Sequence, residues 1–102
     1  MKVVVLPDVE LKLDEFYTAA MINHPLLSEQ TVMDKKKRLI ASLQTLSVIQ
    51  GFRKARLKKK WISKNWHEYV CEDFIFDYEV VQNKAGERYV IVLDAEHSLL
   101  YR

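Results

Sequence analysis

At Trp66 the chain changes period, and this limits the possible folds more than any other feature of the sequence. Before it, apolar residues recur at helical spacing. Leu13, Phe16, Tyr17 and Ala20 stand at i, i+3, i+4 and i+7, which places them on one face of a helix. Val32, Lys36, Leu39, Ile40, Leu43, Leu46 and Gln50 trace a second stripe, apolar at its centre. After Trp66 the spacing is two. Trp66, Glu68 and Val70 alternate with His67, Tyr69 and Cys71, and Phe74, Phe76, Tyr78 and Val80 with Ile75, Asp77, Glu79 and Val81. Alternation of this kind belongs to half-buried strands.

Punctuation sets the boundaries. Residues 1–6 form a β-branched run closed by Pro7, read as a short strand. Asp8 is the expected N-cap of the first helix. His24-Pro25 ends that helix, because a residue before Pro avoids the α region. Ser28 is the expected cap of a second helix running to Gly51. Residues 52–65 read either as a continuation past Gly51 or as a basic loop with an edge strand, and the loop is the expectation. Glu72-Asp73 and residues 83–86 are turns. Residues 89–93 form a further strand, broken by residues 94–96, and residues 97–102 form a short tail with room for a strand piece.

The order strand, helix, helix, three strands predicts an α+β fold in a single domain spanning residues 1–102. Consecutive hairpins make the last three strands an antiparallel meander. The first strand joins the same sheet, since an isolated strand leaves its backbone groups unpaired. The helices cover one face and leave the other as a free, concave working surface. A chain of 102 residues buries roughly two-thirds of the surface its unfolded form exposes, enough for one core.

Several chemistries are excluded. Gly51 and Gly86 are the only glycines, so neither familiar phosphate-cradling loop can be built. His24, His67 and His97 are far apart in sequence, and Cys71 is the single cysteine. No metal site, cofactor or internal disulfide is expected. Cys71 sits in a strand pattern and reads as a small hydrophobe. No run of apolar residues is long enough for a membrane span, and the expected location is the cytoplasm.

Net charge is only +2, but its distribution is uneven. Residues 53–64 hold seven cations and no acid: Arg53, Lys54, Arg56, Lys58, Lys59, Lys60 and Lys64. Phe52, Trp61 and Trp66 accompany them. Residues 68–79 hold five acids and neither Lys nor Arg. Cations neutralise phosphates and aromatic rings stack on unpaired bases, so the basic run is a candidate nucleic-acid contact. The alternative is a solvated loop whose aromatics plug the core. Residues 35–38 are a weaker basic run on a helix face.

The layout resembles the RelE/ParE superfamily of toxins from bacterial type II toxin–antitoxin systems. Three local matches accompany it. Residues 53–58 are similar to a "K-x-L-K"-like segment. Residues 68–79 look like the "Y-R-x-R-x-G-D-Y-R-V-x-Y-E" hairpin, with Asp73-Phe74 on "D-Y" and Tyr78-Glu79 on "Y-E". Residues 97–101 are similar to the terminal "H-R-x-x-V-Y" element. Ile75 and Ser98 stand where the ribonuclease branch often has Arg, and Glu72 where the turn has Gly.

The resemblance implies a helical hairpin on one face of an antiparallel sheet. It also implies a ribosome-dependent mRNA endoribonuclease, weak or degenerate, that needs no metal. The partners implied are a cognate antitoxin, the ribosome and mRNA. His97 would be base or acid, Tyr101 would orient or protonate, and Arg102 would stabilise the phosphate. Arg53, Lys54, Arg56, Lys58, Lys60 and Trp61 would hold RNA. The alternatives are a ParE-like inhibitor of DNA gyrase, or a non-catalytic relative that binds RNA or a protein.

Overall fold

The computed structural model of the protein describes residues 1–48, 53–56 and 58–97. The elements are β1 (Lys2–Val5), α1 (Pro7–Asn23), α2 (Glu29–Leu43), a 3-10 turn (Gln44–Val48), α3 (Lys59–Ser63), β2 (His67–Cys71), β3 (Phe74–Gln82) and β4 (Arg88–His97). They form an α+β fold with one four-stranded sheet of order β1-β4-β3-β2.

Helix boundaries follow local chemistry. Pro7 opens α1 at its first position, where its missing N–H costs nothing, and Leu6, not Asp8, is the cap residue. Asp8 instead lies in the first turn, where a carboxylate suits the positive helix end. The α1 helix ends at Asn23, just ahead of His24-Pro25. Ser28 caps α2, its Oγ accepting the Thr31 N–H at 3.1 Å. The α2 helix stops at Leu43, short of Gly51, which lies outside the described residues. The 3-10 turn that follows keeps both Leu43 and Leu46 buried, a spacing of three that suits three residues per turn.

The sheet is mixed. Strands β2, β3 and β4 form the expected antiparallel meander. The first strand joins the sheet but pairs parallel to β4, with Val3 opposite Val90 and Val5 opposite Val92, so the wholly antiparallel sheet implied by the resemblance is not what the chain forms. The long connection through α1 and α2 returns β1 to β4 without a hairpin, as a parallel pairing requires.

Residues 94–96 do not end β4. The β3–β4 register steps from Asp77↔Asp94 to Tyr78↔Val92, which leaves Leu93 as one extra residue on β4. This bulge reverses the alternation. Val90 and Val92 face the helices before it, and Ala95 does so after it. Asp94 and Glu96 are thereby turned to the opposite face, and a sequence that reads as a break is a continuous strand.

Val9, Leu13 and Tyr17 of α1 and Val32, Leu39 and Leu43 of α2 pack on Phe74, Phe76 and Tyr78 to form the main core. The face away from these helices is not free. Residues 53–56 and 58–66 lie across it as a strap containing the short helix α3. Trp61, Ala55, Ile75 and Trp66 form a second apolar cluster there. Lys54 bridges to His67 at the edge of β2, so the expected edge strand is a single bridge. Trp61 fixes this arrangement: at 0 % exposure it is the largest fully buried side chain, and burying it stabilises the strap by about 2–3 kcal/mol.

Candidate functional site beneath the strap

The two-residue hairpin Glu72-Asp73 brings Cys71 opposite Phe74, and this register continues to Glu68 opposite Asp77. Asp77 in turn faces Asp94 on β4. Three carboxylates thus cross three strands in one row. All point away from the helices, because their neighbours Phe76, Tyr78 and Ala95 point towards them. Glu96 lies one strand repeat along from Asp94. Like charges directly opposite one another repel, so the row requires cations.

The strap supplies them. Arg53 Nε and Arg56 Nε approach Glu68 Oε1 at 3.1 and 3.0 Å. Lys58 Nζ pairs with Glu96 and lies 3.4 Å from Asp94 Oδ2. Trp61 Nε1 donates to Asp94 Oδ2 at 3.2 Å. From the other side of β4, Lys12 on α1 pairs with Asp94 and with Glu96. Burial alone would push the Asp94 carboxyl up, but the Lys12 hydrogen bond, the Ala95 N–H and the two lysine charges hold it below its ordinary value. Burial works against the charge on Lys12, and Asp94 and Glu96 more than reverse it, so its pKa is raised.

Asp77 has no such cation of its own. It is fully buried, and neither carboxyl oxygen has a hydrogen-bond partner of good geometry among the described residues. Burial, and then the Asp94 charge, raise its pKa from 3.8 to about 7, against a weaker pull from the Asp77 and Asp94 N–H groups and from Lys58. A carboxyl poised near neutrality can serve proton transfer. Here it is fully buried on the strap side of the sheet. Among the described residues no cluster of His, Cys, Asp or Glu is arranged to hold a metal ion.

The sequence-based candidates fall on two sides of the sheet. Arg53, Arg56, Lys58 and Trp61 belong to the strap side, with Lys58 Nζ 5.2 Å from the centre of the Trp61 ring. The Trp61 faces are covered by protein, which leaves none for a base. Lys60 Nζ sits 5.8 Å from the Trp66 ring centre, and Lys54 is exposed beside His67. His97 faces the helices. It stacks on Phe16 at 4.3 Å between ring centres and meets Phe74 edge-on at 5.2 Å. It also lines a cavity of about 320 Å³ with Lys12, Glu15 and Glu96. Tyr101 and Arg102 lie outside the described residues.

The sequence reading noted the acids of the hairpin but not the row they form. The signal was present: a two-residue turn at Glu72-Asp73 fixes Glu68 against Asp77 by counting alone. Comparison with protein-family models, with curated proteins and with solved structures gave no match.

Proposed function

We propose that the chain is the toxin-type component of a type II toxin–antitoxin pair, related in plan to RelE/ParE toxins, and that it works by protein contact, not by cutting mRNA. One observation carries the choice between these modes. Arg53, Arg56 and Lys58, three of the five candidate RNA-binding cations, are held by the sheet's own carboxylates on one face, while His97 is packed among aromatics on the other. Phosphoryl transfer to a 2′-hydroxyl needs base, acid and phosphate-binding cations around one atom. The exposed apolar residues Leu11, Ile22, Leu26 and Met33 supply surface that a partner such as an antitoxin would cover.

Induced expression in bacteria tests this, with growth followed and mRNA 5′ ends mapped from the same culture. The expected result is arrest without new in-frame cleavages, followed by a gyrase supercoiling assay to identify the target. Cleavage inside translated messages would overturn the reading. It would favour the ribonuclease alternative, for which the cavity shared by His97, Lys12, Glu15 and Glu96 is the supporting observation. In that case His97→Gln should abolish cleavage without unfolding the protein.

A further inference from the structure

Strand β1 is the outermost strand on its side of the sheet. One of its edges pairs with β4, and among the described residues no strand pairs with the other. The Leu6 N–H bonds the Val92 carbonyl at 3.1 Å. Backbone groups alternate in direction along a strand, so Val4 and Lys2 also bond towards β4, whereas Val3 and Val5 turn their N–H and C=O groups outward. Neither makes a backbone bond on that side among the described residues.

The side chains alternate too. Val3 and Val5 are half-buried because they pack inward on the helix-covered core. Lys2 and Val4 lie exposed on the opposite face, Val4 at 38 %. Met1 and Val48 add exposed apolar surface nearby, with the Met1 amino group on the Ser47 carbonyl at 3.0 Å. An open edge of β-branched residues is a template for another strand.

We propose that this edge pairs antiparallel with β1 of a second copy of the chain, about a two-fold axis through Val4. The strand's own sequence selects both partner and register. Main-chain bonds form only where outward-turned residues face each other, which leaves axes at Val3, Val4 or Val5. With the axis at Val5, Val3 faces Pro7 of the second copy, which has no N–H to give. With the axis at Val3, the outer bonds fall on Met1, whose amino group is already held by Ser47. That register also brings the two Lys2 side chains to diagonal positions about 7–8 Å apart. With the axis at Val4, Val3 of each copy faces Val5 of the other and four main-chain bonds form. Val4 meets Val4 in a close pair on the exposed face. Each Lys2 then faces Leu6, and the two lysines stand about 13 Å apart, beyond the screening length of about 8 Å. So short an edge makes a small contact, which belongs to the weak, transient class. The inference does not depend on the toxin reading.

Sedimentation velocity of the full chain from about 10 µM to 1 mM tests it. The wild type should shift from monomer towards dimer across this range. In parallel, amide exchange at Val3 and Val5 should slow with concentration while exchange at Val4 stays constant. Val4→Lys and Val4→Glu each place like charges on the two-fold axis. Each should weaken self-association at least tenfold, and an equimolar mixture of the two should restore it. Circular dichroism confirms that both variants fold, and the exchange measurement on the wild type stands without them. Leu26→Ser, at a fully exposed apolar residue away from β1, should change nothing. The interface is refuted by a wild type that stays monomeric to 1 mM, by folded single variants that still associate, by a mixture that does not, or by loss of association in Leu26→Ser.

Discussion

Asp77 and Asp94 face each other from adjacent strands with their side chains on one side of the sheet, and a strap of the chain's own cations and tryptophan lies over them. The two carboxyls behave differently because their neighbours differ. Asp94 accepts from Trp61 and pairs with Lys12. Asp77 is enclosed between Glu68 and Asp94.

This difference makes stability depend on pH. The Asp77 carboxyl titrates at about 7 in the fold against an ordinary 3.8. The folded state therefore keeps a proton that the unfolded state releases between these values. Its contribution is fully present below about pH 4 and is lost as pH rises through about 7, with a slope of at most about 1.4 kcal/mol per pH unit. Asp77→Asn removes that charge. Urea unfolding at pH 5, 6, 7 and 8 should show the variant gaining on the wild type as pH rises, by roughly 1–3 kcal/mol at pH 8. Equal pH profiles would show that Asp77 is not the titrating group.

Lys58 is three-quarters buried between Asp94 and Glu96. Lys58→Met keeps the stem and removes the charge, leaving two carboxylates under-neutralised. The expected cost is about 1–3 kcal/mol at neutral pH, read from thermal unfolding. A lysine held in reserve for RNA would leave stability unchanged on replacement.

Much of the fold was legible from particular residues. The period of two after Trp66, the cap at Ser28 and the turn at Glu72-Asp73 each act locally, and each reappears in the structure. The bulge at Leu93 was not legible, since one extra residue changes the facing of Asp94 and Glu96 without changing the composition around them. The packing of the strap on the sheet was not legible for a related reason. A run of cations at residues 53–64 beside a run of acids at residues 68–79 is also what a self-pairing segment looks like, and only the register decides between the two. The parallel pairing of β1 depends on contacts between the two ends of the chain, beyond the reach of local patterns.

Glu72 adopts a left-handed backbone, φ 52°, at the first central position of its two-residue turn. Glycine is favoured there. Its salt bridge to Arg38, at 3.4 Å between exposed side chains, offsets little of the strain. Glu72→Gly should raise stability by roughly 0.5–1 kcal/mol, measurable as a shift of the urea midpoint at constant slope.

The most direct test of the central claim, that the strap's cations serve the sheet and not RNA, is a salt titration of single-stranded RNA binding. The wild type is compared with an Arg53→Ala and Arg56→Ala double variant. The account predicts weak wild-type binding and a change of less than about threefold on substitution, because both arginines are held by Glu68. Tight binding that falls by tenfold or more, with the salt slope reduced by the equivalent of about two phosphate contacts, would contradict it and restore the strap as an RNA-binding surface.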